Sequence, residues 1–204
     1  MKNFKWKIFL ITSIVCLLPI LGGVMLWKKL PDEIAIHFNL YGNPDNYASK
    51  GFVVFALPIF MALMQTVVCL AIDLELTSRG KSAKLEAVSK WIIPFVTIAL
   101  MVLTLGIALD YKINVQKSVM IIMSVLFIVV GSFLPGYDYV KNFKMSPEKA
   151  KKFNSFMGRG MIVLGILFLI GAFLPPRYGI ALILLVIPYS LISFIYAIII
   201  AKRP

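Results

Sequence analysis

The chain has 204 residues, of which 60% are hydrophobic and only 15% are Asp, Glu, Lys or Arg. This apolar share is too high for an ordinary soluble domain and predicts an integral membrane protein surrounded by membrane lipid. The formal net charge of +12 does not indicate a nucleic acid partner, because the 21 Lys and Arg residues lie in short segments between apolar runs.

Six apolar runs are long enough to cross the membrane, since about 30 Å of hydrocarbon requires a helix of about 20 residues. We therefore predict an all-α fold in which residues 1–204 form a single integral membrane domain, a polytopic bundle of six transmembrane helices with a short extended outer loop. The predicted spans lie near residues 8–27, 51–72, 91–109, 118–135, 160–175 and 180–201. The first run resembles a signal peptide but continues to Trp27 without a cleavage site, which favours an uncleaved span.

The positions of Lys and Arg predict the orientation in the membrane. With the N-terminus in the cytoplasm, fifteen of the 21 basic residues fall on the inner side, in the two termini and in segments 73–90 and 136–159. Cytoplasmic segments carry the excess of positive charge in membrane proteins. We therefore expect a multi-pass protein of the cell membrane with both ends in the cytoplasm and with an outer motif loop, residues 28–50.

The outer loop begins with an alternation of apolar and polar residues that has the period of a β-strand. It predicts one face with Ile34, Ile36, Phe38 and Leu40 and another with Ala35, His37 and Asn39. Residues 41–46 are rich in turn formers. We expect an extended segment with its apolar side on the bundle, a turn, and a return that brings four polar side chains together: His37, Asn39, Asp45 and Lys50. The alternative is a structural lid in which His37 and Asp45 only satisfy each other.

The residues that carry catalysis or bind metals are scarce. His37 is the single histidine, which excludes multi-histidine metal sites, and Cys16 and Cys69 lie inside apolar runs where cysteine behaves as a small hydrophobe. We predict no catalytic site, no metal, no cofactor and no enzyme activity. Asp73 and Asp110 fall at span ends and are interpreted as ordinary helix-end residues, with a gate or a proton site as the alternative.

The basic inner loop, residues 136–159, contains a helix start. Ser146, Pro147 and Glu148 have the order of an N-cap, a first-turn proline and a first-turn acid, and they predict a short helix. The basic patch on it consists of Lys149, Lys151 and Lys152, next to Phe153, Phe156 and Met157. This pattern suits anionic lipid headgroups or the acidic surface of a cytoplasmic regulator. Residues 175–179 are expected to form the tight turn of a helical hairpin made by the last two spans, with a re-entrant pair as the alternative.

The outer loop resembles a bacterial membrane domain of unknown function that has Leu-Pro-x-x-Ile-x-x-His-Phe-Asn after its first span and Gly-x-x-Asp-x-Tyr-x-Ser-Lys before its second. The matching residues are Leu30, Pro31, Ile34, His37, Phe38, Asn39, Gly42, Asp45, Tyr47, Ser49 and Lys50, followed by Pro58. The resemblance covers roughly residues 20–60. This domain commonly precedes the C-terminal region of the SdpI-like immunity proteins, which protect Gram-positive producers from a secreted peptide toxin.

The resemblance implies a non-enzymatic membrane protein that confers resistance to a secreted antimicrobial peptide, by binding it or by shielding its membrane target. On this reading His37, Asn39, Asp45 and Lys50 bind the peptide at the outer face. The structural motif positions are Leu30, Pro31, Phe38, Gly42, Ser49 and Pro58. Two alternatives remain: a small transporter or lipid-handling protein, for which Thr12, Gln65, Thr66, Thr97, Thr104 and Ser124 are sparse candidates, and a membrane anchor for a cytoplasmic regulator.

Overall fold

The computed structural model describes residues 4–39, 41–76, 83–136 and 145–202. The helices and strands follow in the order α1 (Trp6–Leu26), β1 (Glu33–Phe38), β2 (Pro44–Ser49), a π-helical turn (Phe52–Ala56), α2 (Leu57–Leu76), α3 (Ala83–Ala108), α4 (Val115–Phe133), a 3-10 turn (Leu134–Gly136), α5 (Pro147–Gly171), α6 (Pro176–Leu184) and α7 (Val186–Lys202).

Six helical stretches among the described residues are long and apolar enough to cross a membrane. They are Trp6–Leu26, Phe52–Asp73, Lys84–Ala108, Val115–Gly136, Pro147–Gly171 and Ala181–Lys202. Large apolar side chains are exposed along these helices, as is expected of surfaces that face lipid. The predicted all-α fold with six transmembrane helices is confirmed.

The chain forms two compact units. The first contains α1, the two strands, α2, α3 from Lys90 onward, and the chain to Ser118. The second contains the start of α3 up to Ser89, α4 from Val119, and α5, α6 and α7.

The first unit has an apolar core at the end of the bundle that carries the strands. It consists of Leu30, Ile34, Val53, Val54, Met101 and Leu105. A Cβ atom at Gly23 would lie 2.6 Å from Cγ1 of Val54, so glycine is required for α1 to approach the start of the second span this closely.

The second span starts with a π-helical turn because of Pro58. Proline has no amide hydrogen and cannot bond to the carbonyl four residues earlier, here that of Val54. The chain winds more widely just before it, and the amide of Leu57 donates to the carbonyl of Phe52, five residues back. The wider turn buries Val53 and Val54 completely in the apolar core.

Helices of the second unit pack through glycine and aromatic contacts. A Cβ atom at Gly131 of α4 would lie 2.6 Å from the carbonyl oxygen of Gly158 of α5. Further along the same pair of helices, the rings of Phe127 and Phe168 meet edge to face with their centroids 5.3 Å apart. Small residues at one level and interlocking rings at another therefore hold α4 against α5.

The fifth span is longer than predicted. The expected span 160–175 and the expected short helix before it are one helix, α5, which starts at Pro147. Ser146 Oγ accepts a hydrogen bond from the amide of Lys149 at 3.4 Å, and Pro147 occupies the first helical turn. Because no residue after this start breaks the helix, residues 147–159 are helical and do not form a loop. Residues 137–144 of the predicted inner loop lie outside the described part of the chain.

The last span, predicted as one helix over 180–201, is divided at Leu185 into α6 and α7. Pro188 explains the division, because it cannot donate to the carbonyl of Leu184. The predicted turn 175–179 is also shorter than expected. Helix α6 already begins at Pro176, since proline is well suited to a first helical turn.

Candidate functional site

The predicted extended outer loop is an antiparallel β-hairpin. Strand β1 was expected, but the return strand β2 was not, because Pro44, Asp45 and Asn46 are typical of turns. Proline is tolerated as the first residue of a strand at a sheet edge, and β2 gains its extended conformation from pairing with β1, in which Ile34 faces Ala48 and Phe38 faces Pro44.

The hairpin turn is organised by Asn39. Its side-chain oxygen accepts hydrogen bonds from the amides of Tyr41 at 2.9 Å and Asn43 at 3.1 Å. Gly42 has φ +81°, in the region that glycine adopts without strain. A Cβ atom added to Gly42 would lie 3.7 Å from the Cβ of Val115, so the turn lies against the start of α4.

A register shift around His37 changes which residues face the bundle. Ile34 and the neighbouring Ala35 are both buried, whereas Ile36 is exposed. The prediction of a regular alternation was therefore wrong after Ile34, since a β-bulge breaks the two-residue period. Leu40, the last member of the predicted apolar face, lies outside the described residues.

His37 and Asp45 form a pair across the hairpin. His37 Nδ1 lies 2.5 Å from Asp45 Oδ1, and the side chains are 68% and 41% exposed. The carboxylate accepts the imidazole N–H in one tautomer and forms an ion pair with the protonated ring. The pair joins the two strands while presenting a hydrogen-bonding imidazole and a carboxylate to the surroundings.

Lys50 forms a different pair, at the base of the hairpin. Its Nζ lies 2.8 Å from Asp32 Oδ1 and 5.2 Å from the centre of the Trp27 ring. The amide of Lys50 also donates to the carbonyl of Asp32 at 2.9 Å. The hydrogen bond from Lys50, assisted by its charge, holds the pKa of the exposed Asp32 carboxyl below its usual range.

The structure thus places the four predicted binding residues in three roles. His37 and Asp45 come together on the exposed hairpin, Asn39 closes the turn, and Lys50 fastens the hairpin base. Five of the six structural motif residues lie in the hairpin or in the segments that join it to α1 and α2, and Pro58 lies in the first turn of α2. Leu30 is buried in the apolar core, and Pro31 is exposed just before β1. Phe38 ends β1 and Gly42 forms the turn. Ser49 Oγ accepts a hydrogen bond from the amide of Phe52 at 3.3 Å, and Pro58 is buried after the π-helical turn.

The basic patch lies on the first turns of α5. Lys151 and Lys152 are exposed there and Lys149 is half-buried, in keeping with contact to anionic headgroups. The aromatic residues beside the patch are not fully available to a partner. The rings of Phe153 and Phe156 pack on Tyr196 of α7, with centroids 6.2 Å and 4.6 Å away.

A buried ion pair is the feature that the sequence reasoning missed. Lys90 Nζ lies 2.5 Å from Asp73 Oδ1, and the two side chains are 0% and 6% exposed. The other carboxylate oxygen of Asp73 accepts from the main-chain amide of Lys5 at 3.2 Å. Asp73 is therefore not an ordinary helix-end residue that reaches the interface, because it joins α2 to α3 and to the residue that precedes α1.

Gln65 lies next to this pair in the interior of the first unit. Its Nε2 is 2.8 Å from Thr12 Oγ1, 2.8 Å from the carbonyl oxygen of Lys90 and 3.2 Å from Cys69 Sγ. Thr97 Oγ1 lies 3.9 Å from Cys16 Sγ on the same side of the unit. We call this group the polar cluster; it comprises Thr12, Cys16, Gln65, Cys69, Asp73, Lys90 and Thr97.

Helical spacing was the signal that could have revealed the polar cluster. Gln65, Cys69 and Asp73 recur every four residues and so lie on one face of α2, as Thr12 and Cys16 do on α1. Lys90 was counted among the residues of a cytoplasmic segment because the third span was expected to start after it. In the structure α3 starts at Ala83, which places Lys90 inside the helix.

No group of three or more His, Cys, Asp or Glu side chains suited to a metal ion occurs within residues 4–39, 41–76, 83–136 and 145–202. The thiols of Cys16 and Cys69 are both buried and free. The hairpin and the polar cluster both hold side chains that form hydrogen bonds and charge pairs.

The fold and these two sites define the class: a polytopic helical membrane protein with a β-hairpin between its first two spans. Residues 14–62 match the profile of a domain of unknown function, DUF1648. The match extends from the middle of α1 through the hairpin into α2, and thus includes the His37–Asp45 pair and the Lys50–Asp32 pair. No curated protein and no solved structure matches the chain.

Proposed function

We propose that this protein is a non-enzymatic membrane protein that confers resistance to a secreted antimicrobial peptide, as the SdpI-like immunity proteins do. The observation that carries the proposal is the exposed His37–Asp45 pair on a hairpin that belongs to the matched domain. The hairpin binds the peptide, or shields the membrane target that the peptide would reach.

The proposed orientation puts the hairpin outside the cell. Basic residues are concentrated in the segments on the opposite side, and such segments stay in the cytoplasm. In this orientation the N- and C-termini and the basic patch of α5 are cytoplasmic, and a secreted peptide reaches the hairpin without crossing the membrane.

The hairpin offers two means of recognition. The described sheet has two strands, so each strand keeps one edge along which an extended peptide can add as a further strand. Main-chain hydrogen bonds on an edge are nonspecific, and charged side chains next to them select the partner. His37 and Asp45 supply such groups. Ile36, which follows the buried Ile34 and Ala35 in β1, adds an exposed apolar side chain next to His37.

Survival of a sensitive Gram-positive strain tests the proposal. Cells producing the protein, or its His37→Ala or Asp45→Ala variant, are challenged with a sporulation-delay-type peptide and with unrelated cationic peptides. We expect selective protection by the wild type and its loss in both variants at equal membrane levels. Because both side chains are substantially exposed, their removal should change stability by less than about 1 kcal/mol, so lost protection reports on binding.

Asp110→Asn is the matched control, since it removes an exposed carboxylate outside the hairpin. Protection should survive this change. Equal protection by the wild type and both hairpin variants would refute the assignment of the site, and absence of protection by well-inserted wild-type protein would refute immunity itself.

Two other functions have some support. The polar cluster favours a small transporter or lipid-handling protein, because buried ionisable residues in membrane helices commonly mark a substrate or ion site. The basic patch favours an anchor for a cytoplasmic regulator. Replacing Lys149, Lys151 and Lys152 by Gln distinguishes the anchor, since it should abolish partner recruitment and leave peptide resistance intact.

A further inference from the structure

Helix α5 carries an arginine deeper in its span than the basic patch. Arg159 is exposed and follows Lys152 by about two helical turns, or about 10 Å along the axis. The fifth span has 25 residues, whereas about 20 residues are enough to cross the hydrocarbon. Counted back from the end of the helix at Gly171, the hydrocarbon begins near Lys152. Arg159 is therefore an exposed charge inside the membrane, a position that requires a counter-charge.

Lys152 and Arg159 lie on one face of α5. At about 100° per residue, the two positions project within about 20° of each other. The same face continues with three exposed apolar residues, which we call the apolar stripe: Val163, Ile166 and Ile170. This face is basic at one end and apolar along the remainder, which matches the headgroup and the acyl chain of a phospholipid.

The two basic side chains can converge on one anion. Side chains on a helix lean toward its N-terminus, so Arg159 extends back toward Lys152 and the headgroups. Phe156 lies between them along the helix, but its ring packs on Tyr196 of α7 with the centroids 4.6 Å apart. In the described part of the chain no ion pair involves Lys152 or Arg159, not even with Glu148, the acid of α5.

We propose that Lys152 and Arg159 together bind the phosphate of one anionic phospholipid, such as phosphatidylglycerol, whose acyl chain lies along the apolar stripe. A guanidinium can form two parallel hydrogen bonds with phosphate oxygens, and the lysine adds a second positive charge. Two cations favour a lipid with a net negative charge over a zwitterionic one, whose own ammonium would lie near them. The site is distinct from the basic patch because Arg159 completes it, and it is independent of the peptide resistance proposed for the hairpin.

Native mass spectrometry of the full-length protein can count bound lipids and measure the affinity for the first one. The protein in a neutral detergent is titrated with phosphatidylglycerol, or with phosphatidylcholine that carries the same acyl chains. We expect phosphatidylglycerol to bind about tenfold more tightly or better. Arg159→Gln and Lys152→Gln should each weaken its binding about five- to tenfold, because each basic residue near a headgroup contributes about that factor.

Lys151→Gln is the matched control. It removes the same charge from the same turn of α5, but position 151 projects about 100° away from position 152. It should change the affinity for phosphatidylglycerol by less than about twofold, because its charge does not face the phosphate. Arg159→Lys keeps the charge and loses the two parallel hydrogen bonds, so it should weaken binding about threefold.

Equal losses in Lys151→Gln and Lys152→Gln would show a diffuse attraction and would refute the site. Equal affinities for the two lipids, or unchanged binding in Arg159→Gln, would refute it as well. Inorganic phosphate should not displace the lipid, and displacement would refute the part assigned to the apolar stripe. Lys152→Gln changes an exposed residue near the membrane surface, so it keeps the test decisive even if Arg159→Gln fails to fold.

Discussion

The ammonium of Lys90 lies 2.5 Å from the carboxylate of Asp73 inside the first unit, and neither side chain is more than 6% exposed. Each charge is stable in this position because of the other, since a single charge in a low-dielectric interior is strongly disfavoured.

Removing one partner of this pair should destabilise the protein far more than removing both. Asp73→Asn or Lys90→Met alone should lower the free energy of unfolding by about 3–5 kcal/mol, because an uncompensated charge or a mismatched polar group remains buried. The Asp73→Leu/Lys90→Met double variant should recover most of that loss. Thermal unfolding in one detergent measures all three, and equal losses in the single and double variants would contradict an energetically coupled pair.

Gly23 and its neighbour Gly22 should respond oppositely to alanine. A Cβ atom at position 23 would lie 2.6 Å from Val54 Cγ1 and 2.7 Å from Cγ2, whereas one at position 22 meets nothing within 4 Å. Gly23→Ala should therefore destabilise the protein by about 1–3 kcal/mol through overpacking. Gly22→Ala should be neutral or stabilising by up to about 1 kcal/mol, since alanine favours the helix.

The Gly23 effect can be assigned to the contact between α1 and Val54 by a second substitution. Val54→Ala removes both γ-carbons, so Gly23→Ala should cost much less in that background. Thermal unfolding of the four proteins completes the cycle, and strictly additive losses would show that the contact with Val54 is not the cause.

Asp110 should be replaceable by glycine with a gain in stability. Asp110 follows α3 and has φ 63°, a backbone conformation that glycine adopts easily and that is unfavourable for residues with a side chain. The structure thus makes Asp110 the residue that ends a helix. Asp110→Gly should raise the free energy of unfolding by up to about 1 kcal/mol and Asp110→Val should lower it; a loss of stability in Asp110→Gly would show that the carboxylate has a role of its own.

Acid should weaken the attachment of the hairpin base. The pKa of Asp32 is lowered by Lys50, so the stabilising pair is present above the ordinary carboxyl pKa and is lost as the pH falls through the lowered one. Because Lys50 lies over the Trp27 ring, fluorescence in a Trp6→Phe/Trp91→Phe background reports the change. We expect an acid transition in this protein and none in its Asp32→Asn variant.

An acid transition of the same size in Asp32→Asn would assign the titration to another group. Lys50→Met provides a second comparison, because it removes the charge over Trp27 while retaining an apolar side chain. Its fluorescence should show no acid transition, because Asp32 no longer has a charged partner beside Trp27.

The order of the spans could be predicted because a run of apolar residues needs nothing beyond its own composition to favour the membrane. The first strand could be predicted for a similar reason, because the alternation of apolar and polar residues that starts at Ile34 is a local pattern typical of a strand. The second strand could not, because Pro44, Asp45 and Asn46 are extended only through pairing with β1. The His37–Asp45 contact was expected as one of two alternatives, and its geometry depends on the bulge in β1.

By itself the sequence determined that the chain is a six-span helical membrane protein with a polar hairpin segment after the first span, because hydrophobic length and local turn chemistry are properties of neighbouring residues. Tertiary structure alone decided that Lys90 meets Asp73 and that Gln65 donates to the carbonyl of Lys90. These two contacts join residues of different helices, and they depend on how α1, α2 and α3 pack, which no local pattern specifies.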